Sequence, residues 1–75
     1  MSIIDSIIVL INQQGKKQKE LTDYIGIDKS TFSQWKNGKL NSYNKYMDKI
    51  AEFFGMSHAE LVAYHQWYNI IKENG

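Results

Sequence analysis

The sequence contains no cysteine, no arginine and no apolar run long enough to cross a membrane. Without cysteine the chain forms no disulfide and offers no thiolate to a metal ion, which is compatible with a reducing cytosol. The apolar segment 3–11 is interrupted by Asp5 and has no basic residues before it, so it is neither a signal peptide nor a membrane anchor. We therefore expect a cytoplasmic protein without a membrane partner.

The length of the chain limits what it can build. Seventy-five residues make one domain, residues 1–75, whose core supplies only about 3–5 kcal/mol unless a disulfide, a metal or a partner chain adds to it. We expect an all-α, five-helix domain, because glycines separate segments that have helical periodicity. The helices are predicted at about residues 2–14, 18–25, 29–37, 43–54 and 57–73, with Ser2 and Asp5 as a capping pair. The predicted core consists of Ile7, Leu10, Ile11, Leu21, Ile25, Phe32, Trp35, Ile50, Phe54 and Leu61.

Positive charge is concentrated in the middle of the chain. Residues 16–49 carry eight lysines and four carboxylates, a net charge of +4, although the whole chain has only +1. Such a distribution is typical of a surface that binds nucleic acid. Lysine contacts phosphate as a point charge but lacks the fork with which arginine binds guanine, so base discrimination would rest on few groups.

Two short helices separated by a glycine turn are predicted within residues 18–37. In the first helix Leu21 and Ile25 lie four residues apart on one face, and Gly26 follows where a helix end favours positive φ. Asp28 can cap the second helix by accepting a free backbone N–H. The buried face of this second helix is assigned to Phe32 and Trp35, which we interpret as packing residues and not as base-stacking aromatics.

This segment resembles the helix-turn-helix of the lambda repressor/Cro-type family, and the resemblance covers about residues 2–62. The matching features are the polar first residue of the first helix, the apolar positions, the glycine of the turn, the buried pair of the second helix and the end of that helix. In the same order these are Gln18; Leu21, Ile25 and Ile27; Gly26; Phe32 and Trp35; and Asn37-Gly38-Lys39. Thr22 replaces the usual alanine, Asn44 replaces an apolar residue, and no proline precedes the fourth helix. Asn44 indicates a shifted start of that helix, with packing by Tyr43, Met47, Ile50 and Phe54.

The resemblance implies which residues contact DNA. In helix-turn-helix proteins the second, recognition helix presents outward side chains to base edges in the major groove. In this chain the expected base contacts are Lys29, Ser30, Ser33 and Gln34, of which Lys29 can donate to guanine and Gln34 can pair with adenine. By resemblance Gln18 donates to a phosphate at the N-terminus of its helix. The surrounding backbone contacts are expected from Lys16, Lys36, Asn37, Lys39 and Lys45.

The segment 57–73 has more apolar surface than a helix on a small domain needs to bury. One stripe contains Leu61, Tyr64, Tyr68 and Ile71, and Val62, Trp67 and Ile70 broaden it. Two interpretations stay open: the helix completes the core of the monomer, or it forms the interface of a homodimer through Tyr64, Trp67, Tyr68 and Ile71.

Other kinds of site find little support in the sequence. His58 and His65 are seven residues apart, but two histidines with Glu60 nearby fall short of a metal-binding set. No nucleophile motif, glycine-rich phosphate loop or paired carboxylates stand out, so we do not expect an enzyme. No cofactor, metal or small-molecule ligand is predicted.

The leading functional hypothesis is sequence-specific binding of double-stranded DNA by a small phage- or plasmid-type transcriptional repressor that acts as a dimer. Its regulatory role follows from the family resemblance, which also implies a bacterial or phage-encoded protein at the nucleoid. The alternative is a protein-interaction module, such as an antitoxin or inhibitor subunit, whose C-terminal aromatic helix binds a different protein.

Overall fold

Five α-helices and one short 3₁₀ helix form the described part of the chain, residues 2–74, in this computed structural model. The α-helices are α1 (Ile3–Gln13), α2 (Gln18–Ile25), α3 (Lys29–Lys36), α4 (Met47–Phe53) and α5 (His58–Asn74), and the 3₁₀ helix (Ser42–Tyr46) precedes α4. None of these residues forms a strand. The predicted all-α class with five helices is confirmed.

Carboxylates cap several helix N-termini, where backbone N–H groups lack partners within the helix. At α1, Asp5 accepts the Ser2 backbone N–H at 3.2 Å, as the predicted capping pair requires. At α5, Ser57 and Glu60 form a reciprocal capping box, with the Ser57 N–H donating to Glu60 at 3.0 Å and the Glu60 N–H donating to Ser57 Oγ at 3.1 Å. Local sequence thus fixes where these helices begin.

The helix predicted over residues 43–54 becomes α-helical only at Met47, a later start of the kind that Asn44 indicated. Residues 42–46 form a 3₁₀ helix, and Asn44 donates its side-chain amide to the Asn41 carbonyl at 3.2 Å. In a 3₁₀ helix side chains three residues apart lie above one another. Tyr43 and Tyr46 therefore both reach the Trp35 ring, at centroid distances of 5.9 Å and 5.7 Å.

The core lies between all five α-helices, and α2 packs on α4 and α3. All ten residues predicted for the core are buried. Three further side chains, Ile4, Met47 and Ala51, are buried with them. Thr22 is also buried, and its hydroxyl donates to the Lys19 carbonyl at 3.0 Å. Threonine can therefore replace the usual alanine without leaving a buried hydroxyl unpaired.

A polar contact within the core joins α1 to α5. The Ser6 hydroxyl is fully buried and lies 2.8 Å from His65 Nδ1, and Asn69 Nδ2 lies 3.3 Å from His65 Nε2. His65 is half-buried, and its contact with Ser6 was not predicted from the sequence. No helix among the described residues has the length and apolar character needed to span a bilayer.

Candidate nucleic-acid interface

Gly26 sets the angle between α2 and the recognition helix α3. Its φ of 79° lies in the left-handed region, which L side chains rarely adopt, so glycine ends α2 here without strain. The backbone N–H groups of Gly26 and Ile27 both donate to the Thr22 carbonyl at 3.0 Å. Asp28 then accepts the Thr31 N–H at 2.7 Å and starts α3.

The recognition helix has one buried face and one outward polar face. Phe32 and Trp35 are almost completely buried, with ring centroids 5.9 Å apart. The opposite face borders a shallow surface depression, which we call the recognition surface. It is lined by Lys29, Ser30, Ser33, Gln34, Asn37 and Lys39. All four candidate base-contacting residues and two of the candidate backbone contacts therefore lie around one depression.

The chain after α3 folds back on the helix end and keeps Lys39 beside the recognition surface. The Lys39 backbone N–H donates to the Gln34 carbonyl at 2.9 Å, and the Asn37 N–H donates to the Ser33 carbonyl at 3.1 Å. These bonds satisfy carbonyls that have no partner within the helix. The side chains of Asn37 and Lys39 remain exposed to solvent.

A second depression between α2 and α3 adjoins the recognition surface at Lys29. Gln18, the first residue of α2, lines it together with Lys19, Thr22, Asp23, Ile27 and Asp28. Gln18 is half-buried and lies at the N-terminus of its helix, where backbone N–H groups favour an anion. The two helix N-termini, at Gln18 and Lys29, thus open on the same depression.

Two carboxylates border this depression: Asp23, for which no role was predicted, and Asp28, the predicted cap of α3. Lys19 Nζ lies 2.8 Å from Asp23 Oδ2, and this hydrogen bond raises the pKa of Lys19 while Asp23 balances its charge. Hydrogen bonds from Thr31, side chain and backbone, hold the pKa of Asp28 below its ordinary value, so Asp28 stays ionised beside Lys29. The spacing of four between Lys19 and Asp23 was the available signal for their pairing.

Four candidate backbone contacts lie outside the recognition surface: Gln18, at the adjoining depression, and Lys16, Lys36 and Lys45. Lys16 is half-buried with Nζ 4.9 Å from the centre of the Phe53 ring, and Lys36 Nζ lies 5.8 Å from the centre of the Phe32 ring. Lys36 borders a different depression with Asn37 and Tyr43, and Lys45 is exposed in the 3₁₀ helix. The structure therefore brings together Asn37 and Lys39 with α3, but not Lys16 or Lys45.

The chemistry of the recognition surface is that of a hydrogen-bonding face with positive charge. Its side chains supply an amide, two hydroxyls and two ammonium groups besides Asn37, and an exposed helix of this kind fits the major groove. No group of three or more His, Asp or Glu side chains among the described residues is arranged to hold a metal ion.

Comparison with protein families decides the class of this fold. A model of the helix-turn-helix family matches residues 8–61, which include α2, α3 and the turn between them. The chain belongs to this family. It is a helix-turn-helix domain of the lambda repressor/Cro type, and thus a DNA-binding transcription regulator whose partner is double-stranded DNA. Neither the curated proteins nor the solved structures yielded a significant match.

The C-terminal half of α5 carries the residues that were considered for an interface. Tyr64 and Tyr68 are half-buried, with nearly parallel rings 6.3 Å apart. Trp67 and Ile71 are exposed by 53% and 50%, and Ile70 by 58%. In this helix-turn-helix domain α5 therefore buries Leu61 in the core but leaves later apolar side chains in contact with solvent.

Proposed function

We propose that the chain is a small phage- or plasmid-type repressor that binds a palindromic operator as a homodimer. As a repressor it would occupy DNA that a polymerase needs, within the bacterial cytoplasm and at the nucleoid. The observation that carries the proposal is the recognition surface, where outward residues of α3 adjoin Asn37 and Lys39.

Reading of bases is assigned to the outward side chains of α3. Gln34 is half-buried, lines the recognition surface and can pair with adenine through both ends of its amide. Lys29 is exposed at the start of the helix and can donate to guanine O6 and N7. Ser30 and Ser33 lie between them and can donate or accept. Each half-site of the operator would therefore include an adenine contacted by Gln34 and a guanine contacted by Lys29.

Attraction to the DNA backbone is assigned to groups around this face. Gln18 would donate to one phosphate at the N-terminus of α2, while Asn37 and Lys39 would contact another beyond α3. Lys16, Lys36 and Lys45 lie further away and would add long-range attraction. Because Lys19 is paired with Asp23, it contributes less to this attraction than its position implies.

The homodimer is assigned to the exposed apolar side chains of α5. Trp67 packs on the half-buried Tyr64 at a centroid distance of 5.8 Å, and Trp67 and Ile71 are both exposed. Two copies related by a twofold axis would cover each other's exposed surface. Two recognition helices would then lie about 34 Å apart and contact half-sites about 10 bp apart, centre to centre.

Selection of bound duplexes from a random pool, at a stated salt concentration, tests the function directly. We expect recovered sequences to share a palindrome whose half-sites are separated by about one helical turn. Recovery of no common sequence would contradict sequence-specific binding. Placement of the recovered operator across the promoter of a reporter gene then tests whether the protein represses or activates transcription, since a repressor lowers expression.

The exposed face of α5 also favours a second candidate function, that of an antitoxin or inhibitor subunit. In that case Trp67, Ile70 and Ile71 would contact a different protein. Stable copurification with another protein, without measurable affinity for DNA, would favour this candidate over the repressor. A homodimer that binds a selected palindrome would exclude it as the main function.

A further inference from the structure

The buried Trp35 ring connects the recognition helix to the start of the 3₁₀ helix. Trp35 is only 2% exposed, and its indole N–H donates to Ser42 Oγ at 2.8 Å. A buried indole N–H needs an acceptor, since an unpaired buried donor destabilises the folded state. Ser42 supplies that acceptor from outside the helix-turn-helix motif.

Residues 37–41 form a loop between the end of α3 and Ser42. The near end is attached to α3 by the N–H groups of Gly38 and Lys39, which donate to the Trp35 and Gln34 carbonyls at 3.2 Å and 2.9 Å. At the far end of the loop, Leu40 is the last residue that makes a backbone hydrogen bond to α3. Its side chain is 42% exposed. The contact between Ser42 and Trp35 holds that far end against the recognition helix.

We propose that Ser42 is a positioning residue for DNA binding: its hydroxyl accepts the Trp35 indole N–H and thereby holds residues 37–41 where Asn37 and Lys39 meet the DNA backbone. This inference rests on the proposed contacts of Asn37 and Lys39. Ser42 itself touches no base or phosphate in this account. Its effect is to reduce the number of conformations that the loop must lose when DNA binds.

Two tyrosines assist this attachment but leave a separate role for the hydroxyl. Tyr43 and Tyr46 pack against the Trp35 ring, so the 3₁₀ helix stays near α3 without Ser42. Aromatic contacts of this kind tolerate small sliding movements, whereas a 2.8 Å hydrogen bond fixes one atom of Ser42 relative to the indole. Loss of the hydroxyl should therefore weaken loop placement more than it weakens the fold.

The test compares Ser42→Ala with Ser42→Thr in the full chain, using a random-sequence duplex as the probe. We expect Ser42→Ala to lower affinity about three- to tenfold, the effect of one lost hydrogen bond, and Ser42→Thr to bind within about twofold of the parent. Because phosphate contacts are weakened, the loss should be similar for a selected operator and should shrink as salt rises.

Tyr24→Phe is the matched control, because it removes a single hydrogen bond between helices, from Tyr24 to Glu52 at 2.6 Å, away from the loop. Its affinity for the random duplex should equal that of the parent. Equal loss in Tyr24→Phe and Ser42→Ala would make the effect one of general stability and overturn the proposal. Equal loss in Ser42→Ala and Ser42→Thr would overturn it too, since the hydroxyl would not be the active group.

The indole proton of Trp35 gives an independent readout by NMR. In the parent it should exchange with solvent at least about tenfold more slowly than the indole proton of free tryptophan, and Ser42→Ala should accelerate it while Ser42→Thr restores the slow rate. If Ser42→Ala fails to fold, the hydroxyl is structural and the proposal is wrong. If the parent protein binds no duplex, the proposed function is wrong as well. If the parent binds the duplex and Ser42→Ala binds it equally well, only this inference is wrong.

Discussion

The recognition helix α3 and the C-terminal helix α5 use their apolar residues in opposite ways. In α3 the large apolar residues, Phe32 and Trp35, are buried, and the outward face is polar. In α5 Leu61 is buried, but Trp67 and Ile71 are exposed near the other end of the helix. The monomer buries the large apolar side chains of α3, but it leaves apolar side chains of α5 exposed.

Length explains the difference between the two helices. α3 has eight residues and is about 12 Å long, so a single layer of core side chains covers its inner face. α5 has seventeen residues and is about 25 Å long, close to the 26 Å middle dimension of the molecule. Leu61 in its first turns is buried and His65 contacts Ser6 of α1, while Trp67, Ile70 and Ile71 further along the helix are exposed. The same amphipathic pattern therefore predicts burial only where a neighbouring helix is present.

The two tryptophans provide the largest contrast. Trp35→Ala should lower the free energy of unfolding by about 3–5 kcal/mol, because it removes a buried ring and the core around it collapses only partly. Trp67→Ala should change the stability of the monomer by about 0.5 kcal/mol or less, as for most surface substitutions. Urea unfolding of dilute protein, followed by circular dichroism, measures both. Similar losses in the two variants would contradict the division between α3 and α5.

The sequence predicted the recognition half well because its determinants are local. Gly26 at the end of α2, the Asp28 cap and the spacing of Phe32 and Trp35 each depend on neighbours within a few residues. The outward residues of α3 follow from that inward pair, since a helix has only one opposite face. The 3₁₀ helix was not predicted, because it depends on contacts of both Tyr43 and Tyr46 with the Trp35 ring.

Other features of the molecule depend on distant contacts that sequence spacing does not reveal. Ser6 and His65 are separated by fifty-nine positions, and Trp35 meets Ser42 only after the loop reverses the chain direction. The position of Lys16 on the Phe53 ring, away from the recognition surface, also requires the packing of α4. How much of the α5 stripe is covered could not be predicted, because that depends on where the core ends.

Association through α5 should give the next largest effect. If Trp67 meets its own copy, Trp67→Glu places a charge in an apolar contact and should weaken the dimer at least about tenfold, or 1.4 kcal/mol. Sedimentation at micromolar concentration measures the shift from dimer to monomer. Ala59→Glu adds the same charge to an exposed position in the first turns of α5 and should leave the dimer intact. Equal sedimentation of parent and Trp67→Glu would contradict the proposed interface.

The contact between α1 and α5 should give a smaller, pH-dependent effect. Burial lowers the pKa of His65 below 6.5, so the unfolded chain binds a proton before the folded chain does as pH falls. The stability supplied by neutral His65 is complete above about pH 6.5 and is lost as pH falls through the lowered pKa. Urea unfolding between pH 7.5 and 5 should show this decline in the parent and in His58→Gln. A decline that persists unchanged in His65→Gln would exclude His65 as its cause.

Binding of Gln34→Ala and Lys39→Ala to a selected operator and to random DNA tests whether α3 reads the DNA sequence. Because Gln34 is proposed to contact a base edge, its alanine variant should lose about 1–3 kcal/mol of binding free energy on the operator and relax the preference at one base pair of each half-site. Lys39→Ala should weaken binding to both DNAs about equally and reduce the slope of log affinity against log salt by about 1. Circular dichroism must first show that both variants are folded. Retention of the parent's operator preference by Gln34→Ala would contradict the assignment of α3 as the helix that reads DNA.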